Sequence, residues 1–121
     1  MKNKDEILKD LAHCTGSDEY IRYLGGMLLT QGATEFARLC GAFWLLDILV
    51  SVQGKKEVKA EEFQVLKIKK TGDRAVVTVE DGNDNVLYKQ NIPFTDFPLD
   101  EYQLFAIHDG THRIILLPSE Y

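Results

Sequence analysis

The sequence predicts an α+β fold, with N-terminal helices followed by an antiparallel meander sheet of about five strands. Apolar residues recur at helical spacing up to about residue 52. From residue 63 onward they alternate with polar residues, and turn-forming residues separate the alternating runs. These two patterns predict that a main helix from the first half packs on one face of the sheet.

Length and composition are typical of one globular domain. The chain has 121 residues, of which 45% are hydrophobic and 27% charged, so we expect a single α+β domain over residues 1–121. The N-terminus MKNKDEILKD lacks the apolar segment of a secretory signal. No apolar run approaches the roughly 20 residues of a membrane span. We therefore expect a cytoplasmic protein that does not cross a membrane.

Two helices are predicted in the first half. A short amphipathic helix runs from Asn3 to about Ala12, with acids in its first turn, where the helix dipole favours them. The main helix runs from about Thr34 to Val52 and has the longest sustained helical pattern in the chain.

The segment between these helices is predicted to be a helical turn followed by an extended stretch. Ser17 is the expected N-cap, and Tyr20 and Tyr23 then lie on one side of the turn. Gly25-Gly26 ends the turn, and residues 27–29 form the extended stretch.

Asp47 is the one carboxylate in the apolar stretch CGAFWLLDILVS. At 100° per residue it falls on the apolar side of the predicted main helix, together with Phe36, Leu39, Cys40, Phe43 and Val50. A carboxylate that faces a core needs a partner, because an unpaired one costs several kcal/mol. The candidate partners are Arg22, Arg113, His13, His108, His112, Tyr20 and Tyr23. A structural tie and a catalytic or ligand-binding role are both open.

Five strands are predicted in the second half, at residues 63–70, 75–80, 86–92, 102–108 and 112–117. The first three are joined by TGD and by DGNDN, both of which are turn sequences. The last two are joined around Asp109-Gly110.

His108 and His112 flank that last turn. With a two-residue turn, His108 pairs with Thr111 and His112 lies opposite Ile107, so the two imidazoles are on opposite faces. A longer loop would bring them together. Asp47, His108, His112 and Arg113 are therefore the candidate catalytic residues.

No metal or cofactor site is predicted. Asp81, Asn83 and Asn85 resemble the first ligands of a calcium loop, but Val86 and Ile92 stand where glycine and glutamate are required. We expect a tight hairpin there instead. The two cysteines, Cys14 and Cys40, have no metal spacing and are expected to be reduced.

The connection IPFTDFPLDEY is unusually rich in apolar residues for a loop, with two phenylalanines between its two prolines. Phe94, Asp96 and Phe97 are the candidate binding residues, because exposed aromatic rings on a stiff loop are typical of a contact surface. The alternative is that the rings fold back and close the sheet edge or the helix end.

The charge distribution argues against a nucleic-acid-binding protein. The net charge is −5, whereas such proteins carry a basic footprint. Residues 55–74 hold seven Lys and Arg against four acids, a local balance of +3. This stretch is either a solvated face or a basic edge for an anionic partner.

The order of several segments resembles an uncharacterised family of small single-domain bacterial and phage proteins, a domain of unknown function. The segments are GSDEYIRY, LLTQGATEFA, GAFWLLDIL, FQVLKI, VEDGNDNVLY, FTDFPL and IILLPSEY, and WLLD, TDFPL and LLPSEY are the most specific pieces. The resemblance implies a free-standing domain in bacteria or their mobile elements. It assigns no activity and no residue role, and it favours an accessory protein over a metabolic enzyme.

Three functional hypotheses follow. Because no catalytic constellation is complete, we favour a non-enzymatic interaction or accessory protein. Its partner would be another protein or a second copy of the chain, bound through the aromatic loop, the basic strand region or a sheet edge. The second hypothesis is an enzyme or small-ligand-binding protein with a cleft around Asp47. The third is an acidic inhibitor of a nucleic-acid-binding protein, and it rests only on net charge.

Overall fold

Four α-helices and seven strands form the part of the chain that this computed structural model describes, residues 3–14 and 19–121. The helices are α1 Lys4–Ala12, α2 Gln31–Cys40, α3 Phe43–Val52 and α4 Lys56–Lys59. The strands are β1 Tyr20–Arg22, β2 Leu28–Thr30, β3 Phe63–Thr71, β4 Arg74–Glu80, β5 Val86–Ile92, β6 Glu101–His108 and β7 Arg113–Leu116. Short 3₁₀ turns span Leu24–Gly26 and Pro118–Glu120. The predicted α+β class is confirmed.

The seven strands form one sheet in the order β1-β2-β7-β6-β3-β4-β5. All neighbouring pairs are antiparallel except β2 and β7, which are parallel. The meander covers β3 to β5 only, because β6 returns to pair with the free edge of β3. The segment between β5 and β6 is long enough for this crossing. The prediction of about five strands missed β1 and did not count β2 in the sheet, although an extended stretch was expected at residues 27–29.

The predicted helical turn after Ser17 is wrong from Tyr20 onward, and Ser17 itself lies outside the described residues. Tyr20–Arg22 is a strand that pairs with Leu28–Thr30. The backbone N–H of Tyr23 donates to the carbonyl of Met27 at 2.8 Å and closes the loop between the two strands. Gly25 and Gly26 reverse the chain with φ of 68° and 74°, a conformation that other residues rarely adopt.

The predicted main helix is two helices, with a break at Gly41. Gly41 has φ 59° and ψ 39°, and its N–H donates to the carbonyl of Ala37, which is the usual left-handed end of a helix. The break rotates α3 relative to the continuous helix that the sequence suggested. Leu49 is therefore buried, while Phe43, expected on the apolar side, is exposed.

The helices and one face of the sheet share a single hydrophobic cluster. Alternate residues of β3, β4, β6 and β7 supply the sheet side, namely Leu66, Ile68, Val77, Val79, Leu104, Ala106 and Ile115. The helical side comes from α1, α2 and α3, with Ile7, Leu11, Phe36, Ala37, Leu45, Leu46 and Leu49. Burial of each large aliphatic side chain contributes about 1.5–3 kcal/mol, so this contact is the main source of stability.

The C-terminal LLPSEY segment is tied back to the fold by Glu120. Its carboxylate accepts hydrogen bonds from the Thr30 hydroxyl at 2.6 Å, from the Gly32 N–H at 3.2 Å and from the Leu117 N–H at 2.9 Å. Glu120 thereby joins the start of α2 to the end of β7. A charged acceptor at a helix N-terminus is favourable because the N–H groups there have no helical partner.

Residues 3–14 and 19–121 contain no helix with the length and apolar content that a membrane crossing requires.

Candidate functional site

Asp47 lies at the surface and not in the core. The hydroxyl of Tyr23 donates a hydrogen bond to the Oδ1 of Asp47. The Tyr23 ring also stacks on Phe43 with 6.1 Å between centroids. Burial and the bond to Asp47 raise the pKa of Tyr23 to about 12, so the phenol keeps the proton that it donates. The predicted position on the apolar face is wrong because of the break at Gly41, whereas Tyr23 was among the predicted partners.

The two phenylalanines of the connection between β5 and β6 have different environments. Phe97 is 1% exposed and packs edge-on against the Phe36 ring at 6.1 Å between centroids. This matches the alternative in which a ring folds back into the fold. Phe94 is 73% exposed, and Asp96 is also at the surface. Of the predicted binding residues, Phe94 and Asp96 are thus available to a partner and Phe97 is not.

The loop that presents Phe94 is held on both sides. The Thr95 N–H donates to the carbonyl of Asp73 at 2.7 Å, and the Phe97 N–H donates to the Thr95 hydroxyl at 3.2 Å. The Lys70 ammonium donates to the carbonyl of Phe97 at 2.7 Å. The Phe94 ring therefore projects from an ordered loop, which lowers the entropy lost on binding.

Phe94 belongs to a larger aromatic surface. Trp44, half-buried at the start of α3, lines a shallow depression of about 370 Å³ together with Phe94, Ile92 and Asp96. The preceding residue, Phe43, is 41% exposed. We call Tyr23, Phe43, Trp44 and Phe94 the aromatic ridge. Asp47 accepts the hydrogen bond from Tyr23, and Asp96 lines the depression with Phe94.

The β6–β7 turn is centred one residue later than predicted. His108 pairs with Arg113, and Asp109 donates its N–H to the carbonyl of His112 at 3.1 Å. The cause is the Asp109 side chain, whose Oδ1 accepts the N–H groups of Thr111 at 2.8 Å and His112 at 2.7 Å. These bonds hold the pKa of the Asp109 carboxyl below its usual value. The predicted pairing of His108 with Thr111 is therefore wrong.

In the observed register, His108 and Arg113 are cross-strand neighbours on the helix-bearing side of the sheet. Both line a cleft of about 600 Å³ between the β6–β7 hairpin and the C-terminal end of α3. The cleft is also lined by His112, Thr111, Lys59, Ala60, Glu62, Val50, Gln53, Gly54, Gly25, Gly26 and Met27. Three of the four predicted catalytic candidates thus meet in one cleft, and Asp47 does not line it.

Arg113 is the most buried charged group of this cleft, with 9% of its surface exposed. Its Nη1 donates to the backbone carbonyl of Glu62 at 2.8 Å, and the N–H of His108 donates to the same oxygen at 2.9 Å. Burial lowers the pKa of Arg113, and the Glu62 charge opposes that change. The Nδ1 of His108 accepts the Gly110 N–H at 3.1 Å, which leaves the Nε2 of His108 as a donor.

Gln64 was not among the predicted site residues, but it holds Gln53, one of the residues that line this cleft. Gln64 is fully buried and exchanges amide hydrogen bonds with Gln53 at 2.7 and 3.2 Å. Its Nε2 also donates to the carbonyls of Val58 at 2.7 Å and Glu61 at 3.1 Å. This network fixes the segment between α3 and β3. The sequence pattern that could have revealed Gln64 is its position two residues before Leu66, on the core-facing side of β3.

Three of the seven basic side chains of residues 55–74 have partners within the fold. The Lys67 ammonium forms an ion pair with the carboxylate of the buried Glu80, with 3.0 Å between Nζ and Oε1. Lys70 holds the loop at Phe97, and the Lys55 ammonium lies 5.8 Å from the centre of the Tyr88 ring. Several of these lysines therefore have local roles in the fold.

The described residues contain no group of three or more His, Cys, Asp or Glu side chains that could hold a metal ion. Asp81 instead closes the β4–β5 hairpin, because its Oδ1 accepts the N–H groups of Asn83 at 2.8 Å and Asn85 at 3.2 Å. Both cysteines are free thiols, and burial raises the pKa of Cys40 to about 12.

Comparison with known proteins gives one family and one fold match. A model of a family of unknown function, DUF6876, matches residues 5–121. No curated protein matches the chain. A crystal structure of a protein of unknown function from Enterococcus faecalis is similar, with a TM-score of 0.56 and 20% identity over 87% of this chain and 93% of that chain. At this identity the likeness concerns the fold alone.

Proposed function

The chain belongs to the DUF6876 family of unknown function, and we propose that it is a protein-interaction module that binds its partner through the aromatic ridge. The proposal keeps Phe94 and Asp96 from the predicted binding loop and adds residues from α3 and the β1–β2 loop.

The exposure of Phe94 on an anchored loop is the observation that carries this proposal. The Phe94 ring is 73% exposed, so it contributes little to the stability of the fold. Its loop is nevertheless fixed by hydrogen bonds at Thr95 and at Phe97. Clustered aromatic rings of this kind are the residues that dominate binding energy in protein interfaces. Trp44 and Phe43 extend the surface beyond one ring.

The charges beside the ridge indicate the chemistry of the partner. Asp47 is hydrogen-bonded to Tyr23, Asp96 lines the depression with Phe94, and the whole chain carries a net charge of −5. A partner segment with Lys or Arg side chains would meet both carboxylates and the faces of the aromatic rings. The ridge therefore fits a cationic segment of another protein better than a second copy of this acidic chain.

Site-specific photocrosslinking in the native host tests the proposal. Phe94 is replaced by photoreactive p-benzoylphenylalanine, and Val86 is replaced in the same way as the matched control. Val86 is 55% exposed on the β4–β5 hairpin and is not part of the ridge. We expect a defined crosslinked partner from position 94 that is absent from position 86.

The crosslinked peptide is then mapped by mass spectrometry. A partner segment rich in Lys and Arg supports the proposal, because it matches Asp47 and Asp96. Equal crosslinking from both positions, or none from position 94, contradicts it.

A further inference from the structure

We propose that the cleft between the β6–β7 hairpin and the C-terminal end of α3 binds a small molecule through its phosphate or carboxylate group, with Arg113, Lys59 and His108 as the contacts. This site shares no residue with the aromatic ridge, so it stands independently of the proposed interaction.

Most of the N–H donors of the Arg113 side chain have no partner among the described residues. A guanidinium has five N–H donors, yet Arg113 makes one hydrogen bond within the described residues, to the carbonyl of Glu62 at 2.8 Å. No Asp or Glu oxygen in that part of the chain lies within 4.0 Å of its nitrogens. The Glu62 carboxylate acts on this charge without forming a direct ion pair, so burial of the guanidinium remains unfavourable and an anion in the cleft would stabilise it.

The lining of the cleft carries more positive than negative charge. Two permanent cations, Lys59 and Arg113, line it against one carboxylate, Glu62. Lys59 is at the exposed mouth, whereas Arg113 lies in the wall. The Nε2–H of His108 adds a further donor, and His112 lies in the same lining. Guanidinium, ammonium and imidazole donors together are the usual recognition set for phosphate and carboxylate oxygens.

The size of the cleft sets the class of ligand. A volume of about 600 Å³ is within the range of small-molecule sites and exceeds what one oxyanion fills. Val50 and Met27 form an apolar part of the lining, beside which a non-polar portion of the ligand can lie. The expected ligand is thus a small organic phosphate or carboxylate.

Titration of the ¹⁵N-labelled full chain at pH 7, followed by amide NMR spectra, tests the site. The probes are inorganic phosphate and succinate in separate titrations at constant ionic strength. We expect saturable shifts at Gly54, Lys59, His108 and Arg113 with at least one probe, and the probe that binds more tightly identifies the oxyanion. Lys59→Gln should raise the Kd about threefold and Arg113→Met about tenfold.

Lys56→Gln is the matched control, because Lys56 is an exposed lysine of the same short helix outside the cleft. It should leave the Kd unchanged. Lys59 is exposed as well, so its replacement keeps the test valid if Arg113→Met fails to fold. Shifts that grow linearly without saturation, or a Kd that is the same in Lys59→Gln and Lys56→Gln, would overturn the proposal and indicate an adventitious ion only.

Discussion

The hydroxyl of Tyr23 donates a hydrogen bond to the carboxylate of Asp47 across the surface between the β1–β2 loop and α3. This contact explains why an acid is present in the apolar stretch WLLDILV. Because α2 ends at Gly41, the following helix turns Asp47 toward the solvent and buries Leu45, Leu46 and Leu49 instead. The carboxylate holds an aromatic residue of the ridge in place.

Asp47→Asn should leave the fold intact. The pair is near the surface, where solvent screens the interaction, so we expect the free energy of unfolding to fall by no more than about 1 kcal/mol. Urea denaturation of the two proteins measures this. A loss several times larger would show that Asp47 is a structural residue of the core after all.

Alkaline pH should destabilise the protein partly through Tyr23. Its pKa is raised from 10.0 to about 12, first by burial and then by the bond to Asp47. The folded state therefore holds this proton more tightly than the unfolded chain, so the stabilisation is complete below pH 10 and is lost between pH 10 and 12. Burial likewise raises the pKa of Tyr102 to about 12.

The Tyr23→Phe variant isolates the contribution of Tyr23. Its unfolding free energy should fall less steeply between pH 10 and 12 than that of the wild type, since only Tyr102 and the other titrating groups remain. Urea denaturation at a series of pH values gives both slopes. Identical slopes would contradict the assignment.

Phe97 and Phe94 should respond differently to truncation. Phe97→Ala should lower the free energy of unfolding by about 3–5 kcal/mol, because it leaves a cavity beside Phe36. Phe94→Ala should change it by no more than about 0.5 kcal/mol, because that ring is mostly in solvent. Thermal and urea denaturation compare the two. Equal losses would mean that the Phe94 ring is packed in solution.

Glu120→Ala should destabilise the protein by about 2–3 kcal/mol, since three hydrogen bonds to a charged acceptor are lost, one of them from the buried Thr30 hydroxyl. Glu57→Ala removes an exposed carboxylate of α4 and should cost no more than about 0.5 kcal/mol. Denaturation of both variants provides the comparison. Similar values for the two would show that Glu120 does not tie the C-terminus.

Arg113→Met should have little effect on stability, within about 1 kcal/mol. The carbonyl of Glu62 keeps the hydrogen bond from the His108 N–H, and a buried charge without a direct ion pair is removed. Stability that is unchanged or improved is expected of a residue kept for binding. A large loss in urea denaturation would instead give Arg113 a structural role.

The strands of the second half were predictable because their alternation is regular. The predicted run 86–92 is identical to β5, and the predicted run 63–70 differs from β3 by one residue at its end. The same alternation places Gln64 beside Leu66 on the core side, so this buried amide was recognisable in principle. Turn chemistry was less decisive, because the capping side chain of Asp109 moved the last turn by one residue.

The first half was harder to predict for physical reasons. β1 and β2 have three residues each, which is too few for a periodic pattern. They form because β2 pairs with the edge of β7 and β1 then pairs with β2. The helix break depends on the left-handed conformation of Gly41, which leaves the apolar spacing almost unchanged. Likewise, only tertiary packing distinguishes Phe97 from Phe94, since each ring is next to a proline: Phe94 follows Pro93, and Phe97 precedes Pro98.

Native mass spectrometry of the chain purified gently from its own host tests the interaction account most directly. Three proteins are compared: wild type, Phe94→Ser and Val86→Ser. We expect wild type and Val86→Ser to carry the same partner protein, and Phe94→Ser to be folded but free of it. A complex that survives Phe94→Ser, or spectra in which wild type carries no partner, would contradict a binding role for the aromatic ridge.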